Sequence, residues 1–161
     1  VPISKDFVLA GDATFTVEVP PQHRPPGGHP WYTYRVRHKE AEGNYAEMWF
    51  VSSLSGPDNT SDYKLYLGRL YPYEGQVALT AKSKITPESY RYRLLNRVLA
   101  RVWAGDHAAY ESAGFQVHHE GKCGRCGRKL TVPESVESGI GPECAKRIGR
   151  PRRKETASAS F

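Results

Sequence analysis

Cysteine is scarce in this sequence. Three occur in 161 residues, an odd number, and all lie between 123 and 144. That count and clustering exclude a disulfide framework and point to metal or redox chemistry in a reducing compartment. Long apolar runs are missing too. No stretch approaches the roughly 18 residues a membrane span needs. Residues 1–12 hold a short apolar patch without a basic lead-in or a longer hydrophobic stretch, so we do not read a signal peptide. The familiar catalytic patterns are also absent. There is no Gly-rich phosphate loop, no GxSxG, no HExxH and no paired-carboxylate motif. His107, Tyr110 and Glu111, with Asp58 and Asp62, can be assembled into a site on paper, but their spacing does not require one. We read the chain as a non-enzyme with no small-molecule substrate and no membrane partner.

What the sequence does have is rings and unevenly placed charge. Ten tyrosines and three tryptophans supply a core, or a surface, built on large rings. The net charge is +6. Residues 1–81 are slightly acidic, whereas 82–101 carry six basic side chains against one acid, and 115–161 carry ten against five. Segregated basic charge suits an anionic partner, either nucleic acid or an acidic protein face. The bland reading is a solvated surface with no specific partner.

The first half reads as strands at 15–19, 31–38, 45–53, 63–70 and 76–80, separated by turn formers. A Pro/Gly loop spans 20–30. Along 31–38, Tyr32, Tyr34 and Val36 share one face while Thr33, Arg35 and Arg37 share the other. A meander or a small, partly closed barrel fits this order. The period then changes. Thr86 is a candidate helix cap, Pro87 suits the first helical position, and Glu88 suits the positive end. Leu94, Leu95, Val98, Leu99 and Val102 form an apolar stripe, with Arg93, Arg97 and Arg101 lining its neighbour. Gly105 ends this helix, a second short helix covers 106–112, and Gly114 ends that one. Residues 115–118 form a strand leading to the cysteines.

The expected fold is α+β: a small antiparallel sheet packed on one main helix, followed by a treble-clef or zinc-ribbon-like module. The expected parts are 1–114 for sheet plus helix, 115–150 for the zinc module, and 151–161 for a disordered basic tail.

Cys123 and Cys126 have the spacing of a metal-binding knuckle, and Pro142 places Cys144 near the positive start of a short helix, which favours thiolate. Zinc wants four ligands, and no Cys or His follows Cys144. Glu143 is a possible oxygen ligand but points the wrong way beside Cys144. Upstream, adjacent strand residues face opposite ways, so one of His118 and His119 reaches the metal. We assign His119, with His118 in reserve, giving His119, Cys123, Cys126 and Cys144 around a structural zinc. The competing readings are three reduced cysteines in a small core or a redox CxxC, although no thioredoxin-like pattern surrounds the motif. An iron–sulfur cluster is disfavoured by having only three thiolates.

GKCGRCGRKLTVPESVESGIGPECA, residues 121–145, resembles a zinc-ribbon-like family of unknown function found largely in bacteriophage and prophage proteins. Its pattern is CGRCGR-x-LT-x-P-x-S-x3-GIGP-x-C. The stretches WFVSSLSGPDN and DYKLYLGRL resemble the accompanying part of some such proteins. The resemblance implies a phage or prophage protein working in the bacterial cytoplasm. It carries over Cys123, Cys126 and Cys144, and His119 by its place before HEGKC, without supplying an activity.

IGRPRRK, residues 148–154, resembles an AT-hook, with Ile148 where the first arginine should stand. A solubilising or phosphate-binding tail is the stronger reading. Arg125, Arg128 and Lys129 surround the knuckle, and Lys146 and Arg147 follow Cys144. With Arg93, Arg97, Arg101, Arg150, Arg152, Arg153 and Lys154 they form a candidate phosphate-contacting set. The rings at 31–34, 45–50, 63 and 66 could instead offer a platform for single-stranded bases, although a sheet this small needs rings for its core. The expected function is a zinc-binding, non-enzymatic nucleic-acid-binding factor, with DNA ahead of RNA. The alternative is a protein-binding inhibitor of a host enzyme or bacterial defence complex.

Overall fold

A computed structural model describes residues 3–55 and 63–119. Within them the protein is α+β. Six strands form one sheet: β1 (Asp12–Glu18), β2 (Trp31–Lys39), β3 (Met48–Ser53), β4 (Leu65–Tyr71), β5 (Gln76–Ala78) and β6 (Gln116–His119). Their spatial order is β5-β4-β3-β2-β1-β6. The first five make an antiparallel meander, and β6 returns to pair with β1. Among the described residues β5 and β6 are the two edges, so these six strands form an open sheet and not the partly closed barrel.

The alternation read along 31–38 holds. Tyr32, Tyr34 and Val36 are buried, whereas Arg35 and Arg37 point away from the core; Thr33, grouped with the arginines, is buried too, its hydroxyl 2.8 Å from that of Thr16. On the inner face, Phe15, Val17, Val51, Leu67, Leu70 and Val77 meet helix α2 (Tyr90–Trp103). That helix buries the expected stripe of Leu94, Leu95, Val98, Leu99 and Val102. Three polar contacts near its start fix it on the sheet. The Tyr34 hydroxyl donates to Arg91 O at 2.7 Å, and Arg91 Nη1 donates to Ser53 Oγ and Leu54 O at 2.6 and 3.0 Å. Arg91 also lies 5.0 Å over the Tyr32 ring.

The helix starts later than its sequence suggests. Ser89 N–H donates to Thr86 O at 3.1 Å, closing residues 86–89 as a turn, and α2 begins at Tyr90. The fixed φ of Pro87 suits the second position of such a turn as well as a first helical turn. At the other end Gly105 takes a positive φ of 68°, as expected. Its N–H bonds Val102 O and that of Asp106 bonds Arg101 O, which is the paired closure of a glycine-capped helix. The same pairing around Gly114 ends α3 (Ala108–Ser112) and turns the chain into β6.

Two other boundaries move. β3 starts at Met48 because Glu42 and Tyr45 close a tight turn with both backbone hydrogen bonds at 2.9 Å. Helix α1 (Lys5–Val8) is an element the sequence did not announce. Ser4 caps it by accepting from Phe7 N–H. Residues 115–119, grouped with the cysteine segment on composition, are hydrogen-bonded into the sheet through β6. Among the described residues, no helix is long and apolar enough to cross a membrane.

Candidate nucleic-acid interface

Helix α2 places two stripes side by side. The apolar stripe faces the sheet, while Arg93, Arg97 and Arg101 are exposed on the adjoining surface. Four residues advance the helix axis by about 6 Å, so the three guanidinium groups form a row about 12 Å long at the backbone. Arg93 leans on its own end of the helix: Nε donates to Glu88 O at 3.2 Å, and the group lies 5.9 Å from the Tyr90 ring. Arg101 sits 3.7 Å from Asp106, both half-exposed, a pair worth little in water. Arg97 makes no ion pair among the described residues, because no carboxylate there reaches it.

Beside this row is a pocket of about 190 Å³, lined by the 3-10 turn Pro21–His23, α2, α3 and the start of β6. Leu94, Val98 and Phe115 form apolar walls, and Arg97 and Arg101 line it as well. The His23 and Phe115 rings lie 5.2 Å apart, tilted by 34°. Tyr110 is 7% exposed, and its hydroxyl has no hydrogen-bond partner among the described residues. Burial pushes its phenol up to about 12, with Glu111 adding to the shift, so at neutral pH it remains a donor. The sequence grouped Tyr110 with His107 and Glu111. The structure separates them: His107 Nε2 and Glu111 Oε1 approach to 3.8 Å on the exposed side, while Tyr110 points into the core.

The aromatic platform divides in two. Tyr32, Tyr34 and Trp49 belong to the core. Burial also pushes the Tyr34 phenol well above its ordinary value, against the pull of Arg91. On the opposite face of the sheet, Phe50 and Tyr66 lie 6.2 Å apart, and Arg69 lies 4.7 Å over the Tyr71 ring. Arg35 there is bound by Asp12 at 2.9 Å, with Arg37 3.6 Å from the same carboxylate. These two arginines are partly neutralised, unlike Arg97.

Of the assigned metal ligands, only His119 is described, as is its reserve His118. The two face opposite ways, as strand geometry requires. His119 pairs with Phe15 on the inner face, its ring 5.4 Å from that of Phe7. His118 pairs with Thr16, and its Nε2 lies 3.9 Å from Glu18 Oε1. His119 is half-buried at the last described position before the cysteines, a placement compatible with a ligand. Cys123, Cys126 and Cys144 lie outside the described residues. So do Arg125, Arg128, Lys129, Lys146, Arg147, Arg150, Arg152, Arg153 and Lys154, and Asp58 and Asp62 of the turn-rich loop. Among the described residues no cluster of three metal-ligating side chains occurs.

Residues 114–149 match a family described as "Family of unknown function (DUF6011)". The match is a minor part of the chain. It opens at the glycine that caps α3 and takes in β6 as well as all three cysteines. No curated protein and no solved structure matches this chain.

Proposed function

We propose that the chain is a non-enzymatic nucleic-acid-binding factor of phage or prophage origin, acting in the bacterial cytoplasm and contacting phosphates through a segregated basic surface. The observation that carries this reading is the exposed row of Arg93, Arg97 and Arg101 on α2. A row on one rigid helix holds its charges in register, and arginine presents a planar fork suited to phosphate oxygens. The sequence of the C-terminal segment supplies further basic residues. His119, Cys123, Cys126 and Cys144 would hold a zinc whose role is to brace that segment.

Replacing Arg93, Arg97 and Arg101 together by Gln tests the reading. Binding should weaken for every sequence, and the slope of log K against log salt should fall by about three. Arg152→Ala with Arg153→Ala should lower it by about two. Unchanged affinity and slope in both variants would remove the arginines from the interface.

The protein-binding alternative draws on exposed rings. Trp31, Tyr45 and Tyr73 are 59%, 73% and 91% exposed. Such rings anchor protein interfaces. A host protein retained by the immobilised chain after nuclease treatment would favour this second reading.

A further inference from the structure

We propose that the pocket between α2 and α3 holds one unpaired nucleobase of a single strand, with Arg97 and Arg101 on the flanking phosphates. This rests on the nucleic-acid reading above and names the part of the ligand that reading leaves open. Size is the first argument. About 190 Å³ is below the roughly 300–1,000 Å³ of sites that enclose drug-sized ligands. It suits a single flat ring system and is too small for a whole nucleotide or a partner's helix.

The walls are the second argument. Leu94, Val98 and Phe115 give an apolar interior, and the exposed His23 ring, in contact with Phe115, adds a flat ring to the lining. Bases stack on such surfaces regardless of sequence.

Charge is the third argument. No carboxylate lines the pocket, and two guanidinium groups do. The pair of Arg101 with Asp106 is exposed and long enough to exchange for a phosphate. A duplex keeps its bases paired and stacked, and would have to flip one out to use this site. Single strands carry no such penalty.

The test uses full-length, zinc-loaded protein and labelled strands of about 12 nucleotides, within the usual range of single-strand site sizes. A base-bearing single strand, an abasic strand of equal length and a duplex are compared by anisotropy at several salt concentrations. The base-bearing strand should bind about tenfold tighter than the other two. Ala109→Leu, which narrows the pocket, should lose about fivefold for that strand alone, at unchanged salt slope. Ala113→Leu, on the same lining, should show the same selective loss. Melting temperatures equal to the parent's assign the loss to the pocket and not to unfolding.

Equal affinity for base-bearing and abasic strands, with a steep salt slope, would overturn the pocket assignment and leave phosphate binding intact. Binding to no strand at any salt would overturn both. Binding of an acidic, aromatic peptide that Ala109→Leu abolishes, with no selectivity among strands, would give the pocket to a protein partner instead.

Discussion

Asn96, on α2, satisfies both backbone groups of Val77 on the edge strand β5. Its Oδ1 accepts from Val77 N–H at 2.7 Å, and its Nδ2 donates to Val77 O at 3.1 Å. The side chain thus acts as a strand partner for a residue with no further strand beyond it among the described residues. Tyr92 adds a second donor to the same carbonyl at 2.7 Å. An edge strand of three residues is otherwise weakly held. Asn96→Ala should therefore cost about 1–3 kcal/mol, because it leaves a buried N–H without its acceptor. Urea unfolding checks this: the midpoint should fall while the m-value stays constant.

Gly75 is expected to be intolerant of any side chain. Its φ is +66°, and an added Cβ would lie 2.4 Å from the Trp103 ring. Trp103 cannot simply rotate away, since its Nε1 donates to Pro72 O at 2.7 Å. Gly75→Ala combines left-handed backbone strain of about 1–3 kcal/mol with overpacking of similar size. Thermal unfolding should show a loss of at least about 2 kcal/mol. A variant as stable as the parent would contradict the packing of this turn.

Alkaline stability should report the buried phenols. Up to pH 10, the ordinary tyrosine value, Tyr110 is protonated in both the folded and unfolded chain and adds no pH dependence. Between 10 and about 12 the unfolded chain has released this proton while the folded chain keeps it, so stability falls as pH rises. Tyr34 acts in the same direction. Comparison of unfolding free energies with those of Tyr110→Phe isolates the effect. The two curves should run parallel below pH 10, and above it the parent should lose stability faster.

Metal content tests the brace. The purified chain should carry about one zinc, and Cys144→Ser should lose it, because three remaining ligands do not close a tetrahedral site. His119→Ala should weaken zinc retention more than His118→Ala. Retention in His119→Ala together with loss in His118→Ala would transfer the ligand role to His118.

Much of the sheet and the seat of α2 were legible because they follow simple periods. Tyr32, Tyr34 and Val36 alternate, and Leu94 to Val102 recur at helical spacing. The start of α2 was misplaced because Pro87 serves a turn as readily as a helix. Helix α1 escaped notice since four residues are too few to show a period. Asn96 and Tyr110 were illegible as structural parts for another reason. Each meets residues distant in sequence, Val77 for the first and, around one pocket, His23 and Leu94 for the second. The arginine row was readable because one helix carries it whole.

Salt-dependent binding tests the central claim most directly. Zinc-loaded protein is titrated into labelled single-stranded DNA at rising salt, alongside the variant in which Arg93, Arg97 and Arg101 are Gln. The account predicts binding at low salt with a steep negative slope, and a slope shallower by about two in the variant. No binding at low salt, or equal slopes for the two proteins, would contradict it.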